Sequence, residues 1–188
     1  MDSNNPSDYT GSYAMMSGTS MAAPHMTGIG ALVRQYVTKQ SFFEGLSSTE
    51  VGQVVNQLLM STAVPQKDDN GVYYSPRQQG AGLVNSYSAI STPAYISVDG
   101  KEVGKLELGD DPEKAGSYNI NFNLNNISNN ALEYSVEVVL MRSNTTTVNS
   151  QWGEREVNTN TDSIIKTVSL GNVSVGAKKV QALIRQFH

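Results

Sequence analysis

Two hydrophobic periods divide the chain. In residues 1–93 the apolar positions fall at helical spacing. From Gly18 to Tyr36 the chain is rich in small and apolar residues, with a single proline, Pro24. This predicts a helix with Pro24 in its first turn, where a missing N–H costs nothing. Phe42-Phe43-Glu44-Gly45 reads as a connection. Ser47-x-x-Glu50 is a capping box. Val51, Val54, Val55, Leu58 and Leu59 follow it at helical spacing, predicting a second helix to about residue 61. Pro65 sits just past that end, as a stop signal should. Asn70-Gly71, between Lys67-Asp68-Asp69 and Val72-Tyr73-Tyr74, marks a hairpin turn.

After Pro93 the period drops to two. Tyr118, Ile120, Phe122 and Leu124 alternate with Asn119, Asn121, Asn123 and Asn125, the pattern of a strand with one wet face. Tyr134, Val136, Val138 and Leu140 repeat it, and 164–170 and 179–184 do so less cleanly. Ser128-Asn129-Asn130 supplies a turn between the first two strands. Several short strands with turns between them predict an antiparallel β-sandwich of about six or seven strands. The expected organisation is a helical unit over 1–93 and a β-sandwich over 94–188, with Pro93 at the boundary.

Composition narrows the function classes. The chain has 188 residues, no cysteine and two histidines. Disulfide frameworks, thiol nucleophiles and zinc–thiolate centres are excluded. A net charge of -4 argues against a nucleic-acid partner. No apolar run is long enough to span a membrane.

One segment carries chemistry: Ser17-Gly18-Thr19-Ser20-Met21-Ala22-Ala23-Pro24-His25-Met26-Thr27-Gly28. Gly18 permits a tight backbone, and Ser20 opens a helix. Unpaired N–H groups and the positive dipole end there favour developing negative charge. That is the setting a serine nucleophile and its oxyanion need. The segment closely resembles the serine signature of the subtilisin-like serine proteases. Leu59-Met60-Ser61-Thr62-Ala63 resembles the end of that family's following helix. Tyr74–Asn85 is similar to the closing segment of the catalytic domain in lactocepin-type cell-envelope proteinases, where a fibronectin type III-like sandwich follows.

The resemblance implies an α/β fold class: the C-terminal part of a parallel-sheet peptidase domain, then an all-β antiparallel sandwich. It implies that Ser20 is the nucleophile and its backbone N–H an oxyanion donor, with Gly18 and Thr19 shaping the turn. His25 matches a motif position but is not the family's base. At i+5 it lies roughly 140° around the helix from Ser20, and it reads as a packed core histidine. The family's Asp and His precede the serine. Only Asp2 and Asp8 precede Ser20 here, with no His, and Asn4 and Asn5 are too close to supply the second oxyanion donor. The chain therefore reads as a catalytic-domain tail plus the next module, inert alone and missing the N-terminal part of its domain. It implies protein or peptide substrates and an extracellular, cell-envelope location in a Gram-positive bacterium. A non-catalytic sandwich spacer with a vestigial protease segment is the alternative. Gly18-Thr19-Ser20-Met21-Ala22 also approaches the α/β-hydrolase elbow, but that fold needs an acid and then a His downstream; His25 is too close and His188 lies in the β half.

No cofactor is expected. Calcium is possible in the parent enzyme, but Asp68-Asp69-Asn70-Gly71 lacks the completing Glu of a calcium loop and reads as a solvated turn. Asp110-Asp111-Pro112-Glu113 reads as another turn. Trp152, the single tryptophan, is expected to pack over a sheet edge or a neighbouring domain.

Overall fold

The computed structural model describes residues 16–98, 104–109, 112–113 and 116–187. Asp2, Asn4, Asn5, Asp8, Asp110, Asp111 and His188 lie outside the described residues. Helix α1 spans Thr19–Lys39 and α2 spans Ser48–Ser61, with a 3-10 turn at Ser41–Phe43 between them. The capping box forms as the sequence predicts. Ser47 N–H donates to Glu50 Oε2 at 2.8 Å, and Glu50 N–H donates to Ser47 Oγ at 3.3 Å. Two free helix donors are thus satisfied. Two short helices follow, α3 at Pro76–Gln79 and α4 at Ser86–Ser91.

The helical core gathers Val33 and Val37 of α1, Phe43, and Val51, Val54, Val55, Leu58 and Leu59 of α2. Burying a side chain such as Leu58, which is fully inaccessible, contributes about 1.5–3 kcal/mol. Arg34 ties the two helices at their polar margin, donating from Nη2 to Ser48 Oγ at 2.7 Å.

The hairpin turn also forms. Lys67 bridges Tyr73, and Asp68 Oδ1 accepts from the N–H groups of Asn70 and Val72 at 3.0 and 2.8 Å. The Asp68 carboxylate is therefore committed to its own turn. Those bonds, led by the one from Val72, hold its pKa below the ordinary carboxylate value.

Beyond residue 93 every strand pairing among the described residues is antiparallel. Strands β1 (Ala94–Ser97), β2 (Tyr118–Asn126) and β5 (Val180–Phe187) form one sheet in the order β1-β2-β5. Strands β3 (Leu132–Ser150) and β4 (Gly153–Val175) form a second. The two sheets share a core of Ala94, Leu124 and Leu183 from the first with Val173 and Val175 from the second. The described sandwich has five strands, fewer than the spacing predicted, because two of them are long. The predicted strand at 164–170 is the middle of a 23-residue strand, and the 134–140 strand lies within one of 19 residues.

The turn at 128–130 does not close a hairpin. It carries the chain from the first sheet to the second. Asn126, fully buried, holds that crossing. Its Nδ2 donates to the carbonyls of Asn130, Val175 and Gly176, and its Oδ1 accepts from Ser128 N–H and Oγ–H. A buried amide with all its partners fixes one chain path.

β1 belongs to both cores. Ala94 points into the sandwich, and Tyr95 points the other way, into the helical core beside Phe43. The alternation of a strand allows this. Ile127 also enters the helical core. Burial alone pushes the Tyr95 hydroxyl above its ordinary pKa. The two halves thus share residues at the point where the period changes.

Candidate active site

Ser20 is the second residue of α1 and is exposed. Gly18 is the N-cap, with φ 144°, a backbone that side-chain-bearing residues rarely adopt. It provides no side-chain cap. Its carbonyl instead accepts from the N–H groups of Met21 and Ala22, both at 3.1 Å. The N–H groups of Thr19 and Ser20 belong to the first turn, where no intrahelical acceptor exists. No acidic residue lies in that turn. The positive helix end, worth roughly half a charge, is therefore not neutralised by α1 itself. Ser20 sits where a developing oxyanion would be favoured.

Pro24 departs from the sequence expectation. It is the sixth helical residue, inside α1 rather than in its first turn. The missing N–H is the one that would have bonded the Ser20 carbonyl. The helix thus has a weakened rung at the candidate nucleophile itself, where an interior proline costs about 3 kcal/mol in an ordinary helix.

His25 is exposed, not a packed core residue. Its Nδ1 lies 2.8 Å from the Met21 carbonyl. A carbonyl only accepts, so Nδ1 carries the proton, and the ring is turned back along its own helix. It does not serve Ser20.

The rest of α1 is open. Only Val33 and Val37 are buried, while Met26 and Leu32 stand 42% and 60% exposed. A groove of about 490 Å³ runs along the helix between Ala22, His25, Met26 and Ile29 on one side and Ala81, Gly82, Leu83 and Val84 on the other. Its lining is almost wholly apolar.

The described residues contain no group of three or more His, Asp or Glu able to hold a metal ion. None of their helices is long and apolar enough to cross a membrane. Trp152 does not pack over a sheet edge. It is 89% exposed at the turn joining β3 to β4. Sequence reasoning missed Asp162 and Ser75, a buried pair joining β4 to the segment before α3. Their polarity and turn-like surroundings carried no signal of burial.

Comparison with known proteins agrees with the serine segment. Residues 1–82 match the peptidase S8 group, the subtilase family. The C5a peptidase of Streptococcus pyogenes is 36% identical over 104 residues, which is 54% of this chain and 9% of that protein. The PII-type and PI-type proteinases of Lactococcus lactis subsp. cremoris are each 39% identical over 85 residues, 42% of this chain and 4% of theirs. The chain thus spans less than a tenth of the length of these relatives. Ser20 and its turn lie inside the matched region, residues 1–82, which is similar to the subtilase family.

Proposed function

We propose that this chain carries the nucleophile segment of a serine endopeptidase. The observation that supports it best is the placement of Ser20: exposed, on the first turn of a helix, two residues after a glycine at positive φ, with no acidic residue in that turn. In the complete enzyme Ser20 Oγ attacks a peptide carbonyl. A histidine supplied from outside the described residues takes its proton, and an aspartate orients that histidine. The Ser20 N–H donates to the tetrahedral oxyanion. The leaving amine takes the proton from the histidine, and water then releases the acyl group. Gly18 and Thr19 shape the turn. The substrates are proteins or peptides.

The isolated chain is inactive in this reading, because a serine hydroxyl without its base is a poor nucleophile. The upstream part of the peptidase domain, with its parallel sheet, covers the open face of α1. Residues 94–188 form a fibronectin type III-like module that spaces the domain or positions substrate. The protein works outside the cell, at the envelope of a Gram-positive bacterium. No cofactor is required by this chemistry.

The test is labelling by a fluorophosphonate probe in a polypeptide that joins this chain to an upstream segment bearing the Asp and His. Labelling at Ser20 that disappears in Ser20→Ala is expected. Labelling that survives the substitution places the nucleophile elsewhere. The rival reading is a spacer with a vestigial serine segment. It predicts no Ser20-dependent labelling even with the upstream segment in place.

A further inference from the structure

The β3–β4 ribbon meets the peptidase segment at a second place, far along the chain from β1. Tyr74 bridges Thr161. Ser75 N–H donates to the Asn160 carbonyl at 2.8 Å, and Asp162 N–H donates to the Tyr73 carbonyl at 2.9 Å. Between these backbone bonds lies a buried polar pair. Ser75 is 1% exposed and Asp162 6%. Ser75 Oγ–H donates to Asp162 Oδ2 at 3.1 Å. The other carboxylate oxygen, Oδ1, is buried with no hydrogen-bond partner. A carboxylate held this way is costly to bury, and removing it alone would leave the buried Ser75 hydroxyl without its acceptor. Arg77 flanks the pair, with Nε 3.5 Å from Ser75 Oγ and Nη2 donating to Ser143 Oγ.

What this arrangement holds is the segment that runs from α3 toward α4 and lines the groove beside α1. Ser75 caps the start of α3, and Gly80 is its C-cap. Gly82 then brings the chain hard against the Val64–Pro65 backbone. A Cβ there would lie 2.4 Å from the Val64 carbonyl carbon, and φ is +123°. Leu83 and Val64 exchange two backbone hydrogen bonds, at 2.8 and 2.9 Å. Residues 81–84 form the wall that faces Ala22, His25 and Met26 across the groove. A continuous series of short contacts thus runs from β4 to the wall beside the nucleophile helix.

We infer that Asp162 is a positioning residue: acting through Ser75, it locks segment 76–84 as the wall opposite the Ser20 helix. Residues 94–188 then also act as a structural part of the peptidase unit, holding one wall of its groove. The functional meaning of the lock rests on reading Ser20 as the nucleophile; the lock itself does not.

The test is amide hydrogen exchange on the 188-residue chain, which needs no activity. Asp162→Ala is expected to speed exchange at Ser75 and Asp162, and also at Val64 and Leu83, by about tenfold or more. The β2–β5 ladder should keep its protection. Asp162→Asn retains an acceptor for Ser75 Oγ and is expected to restore most of the protection. Ser75→Ala, which removes one oxygen and carries the test if Asp162→Ala does not fold, is expected to reproduce the Asp162→Ala pattern. A change confined to 73–75 and 160–162 overturns the inference. So does an equal rise in the β2–β5 ladder, which would make Asp162 a general stability residue, or an Asn variant as loose as the Ala variant. Failure of the protease reading appears separately, as absent Ser20 labelling in the complete enzyme.

Discussion

Of the two long helices, α2 buries six of its 14 residues and α1 buries two of its 21. Composition does not explain the difference. No charged residue lies from Thr19 to Val33 in α1, and Glu50 is the one charge in α2. A helix that is apolar all round is built for burial on all sides. α2 finds its cover in α1, α4 and β1. The first turns of α1 find little. Gly28 and Gly30 sharpen the point, since a Cβ added at either meets nothing within 4 Å. Interior glycines cost a helix roughly 1 kcal/mol each, and no described neighbour makes use of their smallness. The helix bearing the candidate nucleophile is thus the one shaped for a neighbour not among the described residues.

The contrast predicts that α1 substitutions act on chemistry and α2 substitutions on stability. The largest effect is Ser20→Ala in the complete enzyme. Loss of a nucleophile or base in this kind of triad lowers kcat on the order of 10⁶-fold, as measured in subtilisin itself. Denaturant stability should move by less than about 0.5 kcal/mol, because the side chain is exposed. A large stability loss at Ser20 would break the comparison.

Next is Leu58→Ala at the centre of the α2 core, expected to cost about 2–5 kcal/mol in a urea titration. Leu32→Ala on α1 is its control, expected within about 0.5 kcal/mol in this chain. Equal costs would mean that α1 is covered after all.

Ser47→Ala removes the capping box and should cost about 1 kcal/mol. Gly30→Ala is a test of sign. In this chain it should stabilise by about 0.5–1 kcal/mol, since the added methyl meets open space. Destabilisation would place an unseen neighbour against α1.

The smallest effect is on pH. Hydrogen bonds from Ser47, side chain first and then backbone N–H, hold the Glu50 pKa below its ordinary value. A depressed carboxylate pKa gives stability that is full above the unfolded value and lost as pH falls through the folded one. Helix content followed by circular dichroism should therefore fall in acid, with Ser47→Ala showing a shallower decline. An identical decline in both would remove Glu50 from the account.

Local chemistry was legible in the sequence. The capping box, the end of α2, the Asn70-Gly71 turn and the serine segment all depend on residues within a few positions of one another. Long-range pairing was not. Nothing local told that 134–140 and 164–170 belong to one long ribbon, or that 128–130 crosses between sheets. Tyr95 and Ala94 look alike as strand residues, yet they serve opposite cores, because that depends on what lies on each side of β1. Pro24 was misplaced for a related reason: its cost depends on where the helix begins, and Gly18 begins it earlier. Asp162 was invisible because burial of a polar side chain is decided by the segment that closes over it.

The most direct measurement is fluorophosphonate labelling of the 188-residue chain itself, with Ser20→Ala beside it. Ser20, the proposed nucleophile, is exposed on the first turn of α1, but His25 is turned back along its own helix and no other described residue is a histidine. The account predicts no Ser20-dependent labelling of this chain alone. Strong labelling that vanishes in Ser20→Ala would contradict it, since a base would then be reaching Ser20 without the upstream segment.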